Sequence, residues 1–258
     1  MAKIIAIANQ KGGVGKTTTS VNLAASLAVA ERRTLLVDCD PQGNATSGLG
    51  LYRDQIQKDL YQLLINETQP ADTVYNTMLN HLNIIPATRE LIGAEVELQV
   101  IEKRQKVLRE VLSSVVSQYD YIIMDCPPSL GLLTVNALTA ARTVIIPLQC
   151  EYYAMEGLSQ LLRTIQLVKR SLNPNLGIEG ILLTMFDSRN NLCHQVVGEV
   201  RTHFKGRVFQ TIVPRNVRLS ESPSHGKPVL LYDIGSKGAR AYLELAKEVI
   251  KRELSRNG

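Results

Sequence analysis

Short, continuously apolar runs rich in β-branched residues alternate with longer stretches whose apolar residues recur at helical spacing. Runs that stay apolar throughout are typical of strands buried on both faces of a sheet. The predicted strands are Ile4–Ala8, Thr34–Val37, Leu82–Ile85, Tyr121–Met124, Thr143–Ile146, Gly180–Leu183 and Val208–Val213. The predicted helices are Lys16–Ala30, 96–116, 155–171, 191–204 and 236–254.

This alternation of strands and helices predicts an α/β fold with one doubly wound, mainly parallel sheet flanked by helices. No linker, repeat or low-complexity stretch interrupts residues 1–258, so we expect a single domain. Residues 52–81 are the least regular, and we expect a surface excursion there. Ligands of such sheets bind at the carboxyl ends of the strands, which directs attention to the residues that follow each strand.

A glycine-rich segment follows the first predicted strand and leads into the first predicted helix. Glycines let successive backbone N–H groups point at phosphate oxygens, and the helix N-terminus adds partial positive charge. Lys16 is placed to reach the β and γ phosphates of ATP, and the Thr17 hydroxyl to ligate Mg²⁺. A ligand-free turn is the alternative, but the loop, the Lys-Thr pair and both flanking elements favour a phosphate loop. The residues predicted to bind the nucleotide are Lys11, Gly12, Gly13, Val14, Gly15, Lys16, Thr17 and Thr18.

Carboxylates end two of the predicted strands. Asp38 and Asp40 follow the second strand, and Pro41 with Gly43 marks a turn that lets Asp40 project toward the phosphates. Hydrolysis needs a group that positions water near the γ-phosphate, and Asp40 is the better candidate. The role of Asp38 stays open. It orients the loop, orients the metal shell, or merely ends the strand.

The second of these strands, Tyr121–Met124, ends in Asp125 and a rigid Pro127-Pro128 turn. A carboxylate at the end of an apolar strand, paired with an upstream phosphate loop, is typical of a Walker B site. We therefore predict that Asp125 and Thr17 hold Mg²⁺. The segment 128–131 is predicted to be a switch that senses the γ-phosphate.

Charge is distributed unevenly over a composition that is globular, with 45% apolar and 21% charged residues. Lys plus Arg number 29 and Asp plus Glu 24, giving a net charge of +5. The excess lies in residues 185–258, whereas residues 1–184 are close to neutral. A basic C-terminal third indicates a polyanion such as DNA or an anionic membrane surface, or else a solvated basic face without a partner.

The four cysteines form no C-x-x-C pair, and no His lies at metal-ligand spacing, so reduced thiols in a cytoplasmic protein are expected. The N-terminal apolar run is too short for a signal peptide or a membrane span.

The phosphate loop departs from the standard pattern in a specific way. Gln10 stands where that pattern has its first glycine, and Lys11 is an additional lysine. The segment K-G-G-V-G-K-T-T resembles the deviant Walker A box of the ParA/MinD ATPases. The resemblance implies that Lys11 reaches across a nucleotide-sandwich homodimer to the partner's ATP, completing a catalytic set with Lys16 and Asp40. A solvated surface lysine is the alternative for Lys11.

Longer segments resemble the chromosomal ParA branch, also called Soj. They are residues 40–50, 125–134, 149–157 and 214–228. The resemblance implies that Pro214 and Asn216 lie near the adenine and that Asp40 is needed for hydrolysis but not for ATP binding. It also implies an ATP-dependent homodimer that binds double-stranded DNA without sequence preference, a ParB-like partner protein and a nucleoid-associated location. By the same resemblance, Arg189 and Arg218 would face the DNA. The basic C-terminal third adds weaker candidates, for each of which a solvated surface charge is the alternative: Lys205, Arg207, Lys227, Lys237 and Arg240.

The sequence alone leaves two alternative functions to consider. A MinD-like membrane ATPase carries a C-terminal amphipathic helix, and here Leu243, Ala246, Val249 and Ile250 fall on one helical face. That stripe lacks Phe and Trp, which favours core packing, and no membrane partner is expected. A metabolic relative such as an iron protein or an ATP-dependent ligase is disfavoured, because the cysteines do not match cluster positions and no further acid or base builds a substrate pocket.

Overall fold

The computed structural model describes residues 2–151 and 154–257, with the backbone alone described at 154–156 and 256–257. The strands are β1 Lys3–Ile7, β2 Thr34–Asp38, β3 Tyr75–Asn76, β4 Leu82–Ile85, β5 Tyr121–Asp125, β6 Thr143–Gln149, β7 Gly177–Phe186 and β8 Val208–Pro214. They form one sheet in the order β3-β4-β2-β5-β1-β6-β7-β8. Neighbouring strands are parallel except for β3, which runs antiparallel to β4 at one edge.

The predicted mainly parallel sheet is confirmed, and each predicted strand is present. Strand β7 extends beyond both of its predicted ends. Strand β3 was not predicted, because two residues are too few to carry an alternating pattern. It lies in the irregular segment 52–81, which also holds one short helix and two 3₁₀ turns.

Helices cover both faces of the sheet. They are α1 Lys16–Val29, α2 Asn44–Gly48, α3 Leu60–Leu64, α4 Leu91–Glu97, α5 Val107–Leu112, α6 Leu132–Ala140, α7 Ala154–Ser171, α8 Asn191–His203, α9 Val217–Glu221, α10 Val229–Tyr232 and α11 Lys237–Asn257. The long predicted helices correspond to α1, α7, α8 and α11, and α6 was not predicted. Tyr152 and Tyr153, in the segment 149–157 that carries part of the resemblance, lie outside the described residues.

The prediction of one helix over 96–116 is wrong. Helix α4 starts earlier and gives way to a 3₁₀ turn at Leu98–Val100, and α5 begins only at Val107. The side chain of Asn136 on α6 explains part of the break, since it donates to the Arg104 carbonyl at 2.8 Å and accepts from the Leu108 N–H at 3.2 Å. Backbone groups that a continuous helix would pair internally are bound by a neighbouring helix instead.

Two apolar layers sandwich the sheet. Alternate residues of each strand point to opposite faces, so Ile5 and Ile7 of β1 join one layer while Ala6 joins the other. One layer packs the sheet against α1, α10 and α11, and the other against α4 to α8. This arrangement leaves the carboxyl ends of β1, β2 and β5 side by side, which places the loops that follow them around one point.

Helix α11 is part of the core. Tyr242, Leu245, Ala246 and Val249 are almost fully buried, and Leu243 with Ile250 packs against them. The guanidinium of Arg252 donates to the carbonyls of Glu179 and Val208 at 2.7 and 3.1 Å, which ties the end of the helix to the sheet. The apolar stripe of this helix therefore lies against the sheet. Among the described residues, no helix combines the length and apolarity that crossing a membrane requires.

Candidate nucleotide site

The phosphate loop connects β1, near the centre of the sheet, to α1. Gly13 and Gly15 adopt left-handed φ values of 73° and 89°, which glycine reaches without a steric cost. The Val14 carbonyl accepts a hydrogen bond of 2.9 Å from the Thr184 hydroxyl on β7. The loop is thus shaped by its glycines and anchored to a second strand. The N-terminus of α1 points into the space that the loop encloses.

Lys16 is buried at the first position of α1, and its ammonium donates to the Lys11 carbonyl at 3.1 Å. Burial lowers the pKa of Lys16, and the carboxylates of Asp125 and Asp40 oppose that shift. A buried ammonium without a closely bound counter-charge is costly, and phosphate oxygens would provide that counter-charge. This geometry fits the predicted role of Lys16 in holding the β and γ phosphates.

The predicted metal residues come together at the end of β5. Asp125 is fully buried, and its Oδ1 accepts a hydrogen bond of 2.8 Å from the Ser20 hydroxyl. Burial raises the pKa of Asp125, while the nearby hydroxyls of Ser20 and Thr17 oppose the shift. The second oxygen, Oδ2, has no hydrogen-bond partner. A buried, unpartnered carboxylate oxygen beside a threonine hydroxyl suits Mg²⁺ or one of its water ligands.

Magnesium at this position would depend on the nucleotide as well as the protein. The described residues contain no group of three or more His, Cys, Asp or Glu side chains placed to hold a metal ion. Mg²⁺ commonly takes one or two protein ligands, with phosphate oxygens and water completing its shell. The residues present therefore fit a Mg²⁺ ion that arrives with ATP.

Asp38 organises the loop that carries Asp40. Its Oδ1 accepts from the Asp40 N–H at 3.1 Å, and its Oδ2 accepts from the N–H and hydroxyl of Thr46 at 2.9 and 2.8 Å. Burial and the neighbouring Asp125 carboxylate raise the pKa of Asp38. Of the three roles that the sequence left open for Asp38, these contacts favour orientation of the loop.

Asp40 is buried beside the site, and its charge acts on both Lys16 and Asp125. Its Oδ1 accepts from the Gln42 N–H at 2.9 Å, which leaves Oδ2 for other partners. Gly43 closes the turn with a φ of 64°, and a Cβ at this position would lie only 2.8 Å from the Ala87 carbonyl. The turn is therefore tightly packed and holds the Asp40 carboxylate close to the phosphate loop.

Lys11 differs from Lys16 in its exposure. Its side chain is 44% exposed and forms an ion pair of 2.6 Å with Glu151, which is 45% exposed. Exposed ion pairs of this kind contribute little to stability and break readily. Sequence analysis missed Glu151, since 140 positions separate the two residues and no local pattern links them.

A cavity of 390 Å³ adjoins the phosphate loop through Gly15 and Thr18. Pro214 and Asn216, which the resemblance assigned to the adenine, line its other side. The side-chain oxygen of Asn216 is buried and has no hydrogen-bond partner. An unpartnered acceptor in a cavity next to the phosphate site suits the 6-amino group of adenine.

The two predicted DNA-facing arginines lie at one edge of the sheet. Arg189 follows the carboxyl end of β7, is 87% exposed and pairs with Asp187 at 2.7 Å. Arg218, on α9 after the neighbouring strand β8, pairs with Glu221 at 2.8 Å and Asp233 at 3.2 Å. Both arginines therefore stand at the same edge as the phosphate loop, held by neighbouring carboxylates.

The weaker basic candidates divide between the two edges. Lys205 and Arg207 directly precede β8, at the edge opposite Arg189 and Arg218, so for these two residues the placement favours the alternative of a solvated surface charge. Lys237 and Arg240 begin α11 next to α9, where a Cβ at Gly238 would meet Leu219 at 2.6 Å.

Ser20 is a further site residue that sequence analysis missed. It lies one helical turn after Thr17 on α1, and so on the same face as the predicted magnesium ligand. A hydroxyl at that spacing is the signal that would have indicated a second partner for Asp125.

Comparison with known proteins places the chain among ATPases. A family model described as "AAA domain" matches residues 2–178. The chain is 62% identical over 253 residues to "Chromosome partitioning protein ParA" of Myxococcus xanthus, covering 98% of this chain and 89% of that one. It is 59% identical over 249 residues to "Sporulation initiation inhibitor protein Soj" of Bacillus subtilis, covering 96% and 98%. A structure of cobyrinic acid a,c-diamide synthase from Mycobacterium smegmatis with ADP and magnesium matches with a TM-score of 0.87 and 38% identity, covering 99% and 96%.

Fold and site together define a P-loop ATPase that uses ATP with Mg²⁺. The chain belongs to the ParA/MinD family of deviant Walker A ATPases, in the branch of the ParA and Soj proteins. The biosynthetic enzyme shares the fold, but at 38% its identity is well below that of the two bacterial relatives.

Proposed function

We propose that this ATPase partitions chromosomal DNA. MgATP closes a homodimer, the dimer binds double-stranded DNA without sequence preference, and a ParB-like partner stimulates slow hydrolysis and release. The observation that carries the proposal is the difference in burial between the two lysines of the phosphate loop. Lys16 is buried against its own site, whereas the Lys11 side chain is half-exposed and forms a surface ion pair with Glu151, a partner that a second subunit's nucleotide can replace.

The roles of the site residues follow from their placement. Lys16 and the loop N–H groups hold the phosphates, and Thr17 and Asp125 hold Mg²⁺, which would neutralise charge on the phosphate oxygens. Asp40 orients the attacking water, and Asp38 keeps Asp40 in place through its backbone N–H. Pro214 and Asn216 hold the adenine. Lys11 of each subunit stabilises charge on the partner's transferring phosphoryl group.

The cross-subunit role of Lys11 can be tested by removing its side chain. Replacing Lys11 with alanine is expected to leave ATP affinity within a few-fold of the original value, because the buried contacts of Lys16 remain. The ATP-dependent dimer should disappear, since each nucleotide loses its cross-subunit cation. Sedimentation velocity with Mg²⁺ and a non-hydrolysable ATP analogue measures both states.

Glu151→Ala is the matched control for this experiment, because it removes the same ion pair and leaves Lys11 intact. We expect this variant to dimerise. A Lys11→Ala protein that dimerises normally would show that Lys11 has no role across the interface.

The DNA surface is proposed to lie where β7 and β8 end, with Arg189 and Arg218 at its centre. Sequence-independent binding needs cations that displace counterions from phosphates, and it weakens steeply with salt. Duplex binding should therefore be strong with ATP and weak with ADP or without nucleotide. Across a salt series, the logarithm of the binding constant should fall linearly with the logarithm of the salt concentration. Equal affinity in all three nucleotide states would contradict the proposed switch.

Charge reversal at Arg189 tests the position of the surface. Arg189→Glu is expected to weaken duplex binding and to reduce the salt slope by about one unit for each phosphate that the protein no longer neutralises. ATP hydrolysis without DNA should be unchanged, because Arg189 lies outside the nucleotide site. Arg207→Glu, the same change at the opposite edge of the sheet, is the control and should bind nearly normally. If both variants bind equally, the surface is wrongly placed.

A MinD-like membrane function is the alternative. It would require the apolar face of α11 to leave the core, where Tyr242, Leu245 and Val249 are buried. We therefore place the protein in the cytoplasm and at the nucleoid. ATP-dependent sedimentation with anionic liposomes, in the absence of duplex binding, would reverse that choice.

A further inference from the structure

Both arginines at the centre of the proposed DNA surface are paired with carboxylates of their own chain. Arg189 uses one edge of its guanidinium for this pairing: its Nε donates to Asp187 Oδ1 at 2.9 Å, and its Nη2 donates to Asp187 Oδ2 at 2.7 Å. The Arg189 backbone N–H also donates to Asp187 Oδ1, at 3.0 Å. The Asp187 carboxylate therefore occupies a two-donor edge of the kind that binds phosphate.

Arg218 is held from three sides. Its Nη1 donates to Glu221 Oε2 at 2.8 Å, and its Nε lies 3.2 Å from Asp233 Oδ2. Its guanidinium carbon lies 6.0 Å from the centre of the Tyr232 ring. Two arginines thus face three carboxylates on a surface that is proposed to meet a polyanion, so an approaching phosphate meets negative charge as well as positive charge.

The pairing stabilises the charged form of each partner. Hydrogen bonds from Arg189 hold the pKa of Asp187 well below its usual range, and the same contacts raise the pKa of Arg189. The hydrogen bond from Arg218 likewise lowers the pKa of Glu221. These carboxylates are therefore ionised at neutral pH, and each competes with phosphate for its arginine.

The pairs can open without leaving a carboxylate isolated. All of the paired side chains are at least partly exposed, and ion pairs at the surface break readily. The positive charge of Arg215 also acts on Asp187, and the Tyr232 hydroxyl donates to Glu221 Oε2 at 3.1 Å. DNA phosphates can therefore replace the carboxylates, but each replacement costs an existing ion pair.

We propose that these carboxylates mask the DNA surface, because they compete with DNA phosphates for the two arginines and so keep the duplex affinity of one subunit low. The masking residues are Asp187, Glu221 and Asp233. The inference rests on the proposed function, in which binding requires the ATP-dependent dimer. With weak binding by each subunit, two linked subunits are needed to hold a duplex, whereas unmasked arginines would hold DNA in every nucleotide state.

Asp187→Asn tests the mask on Arg189. Asparagine keeps an oxygen for the Arg189 N–H but loses the charge that holds the guanidinium. Without nucleotide and at low salt, duplex affinity should rise roughly threefold to tenfold, and the salt slope should steepen by about one unit, because one more cation meets a phosphate. Fluorescence anisotropy of a labelled duplex across a salt series measures both. ATP hydrolysis without DNA should be unchanged, which verifies that the variant is folded.

Asp120→Asn is the matched control, because Asp120 pairs with Arg33 through contacts of the same kind. Asp120 accepts from the Arg33 Nη2 at 2.9 Å and from the Arg33 backbone N–H at 2.9 Å. These two residues directly precede β5 and β2, at the edge of the sheet opposite Arg189. The control variant loses the same charge, and its duplex affinity should stay within about twofold of the original value.

Asp187→Asn in an Arg189→Ala background separates masking from net charge. The gain in affinity should disappear there, because the mask acts through Arg189. Unchanged or weaker binding by the single variant Asp187→Asn would overturn the inference. So would a gain that persists without Arg189 or that Asp120→Asn reproduces. An unsubstituted chain that fails to bind duplex DNA with Mg²⁺ and a non-hydrolysable ATP analogue would instead contradict the proposed function itself.

Discussion

Replacing Lys16 with alanine is expected to weaken ATP binding by roughly 10²–10⁴-fold. Lys16 is the buried cation of the phosphate loop, and its loss leaves the phosphates without a direct counter-charge. Removing one partner from a buried charge pair costs about 3–5 kcal/mol, which corresponds to that change in affinity. Calorimetric titration with ATP and Mg²⁺ measures it directly.

The nucleotide-free Lys16→Ala protein should remain folded. Burial lowers the pKa of Lys16, so in the folded state its charged form is disfavoured relative to the unfolded chain. Removing that charge relieves a cost, and the unfolding midpoint without nucleotide should not fall substantially. Lys11→Ala serves as the matched control for binding, because it removes a lysine from the same loop and should keep affinity. ATP affinity that survives in Lys16→Ala would remove this lysine from phosphate binding.

Replacing Asp40 with alanine is expected to slow hydrolysis by about 10²–10⁴-fold while ATP affinity changes little. The carboxylate lies beside Lys16 and Asp125, but the phosphates are held by other groups. In the proposed cycle the dimer forms with ATP and dissociates only after hydrolysis, so we expect the variant to stay on DNA as a dimer. Single-turnover phosphate release and duplex co-sedimentation with ATP test the two halves of this prediction.

Asp40→Asn separates the chemistry of Asp40 from its structural contact. Asparagine retains an oxygen for the Gln42 N–H but loses the negative charge. If Asp40 orients and polarises water, the asparagine variant should be nearly as slow as the alanine variant. Recovery of normal turnover in Asp40→Asn would reduce the role of this residue to holding the turn.

The arrangement of the centre of the candidate site follows from local sequence. Strand β1, the glycine loop and the start of α1 are contiguous, so Lys16 and Thr17 reach their positions without help from distant residues. The carboxylates could be predicted for a related reason. Asp38 and Asp125 end neighbouring parallel strands in register, and strand ends in a parallel sheet meet at one edge.

Other features could not be predicted from the local sequence pattern, because they depend on contacts between residues that are distant along the chain. Residues 96–116 have helical periodicity, yet the helix is interrupted where Asn136 binds the backbone at Arg104 and Leu108. The ion pair between Lys11 and Glu151 joins the loop that follows β1 to the loop that follows β6. It forms only because the fold brings these two loops together.

The sequence by itself determined the chemistry: a strand, a glycine loop and a helix that curl around a triphosphate, because all their groups are adjacent along the chain. Only the tertiary structure decided which groups are buried and which remain free. It placed the apolar face of α11 in the core, Arg207 at the edge opposite Arg189, and the side chains of Ile92 and Val96 on the exposed side of α4. Burial depends on contacts between elements distant in sequence, and apolar periodicity shows that a face exists without showing what covers it.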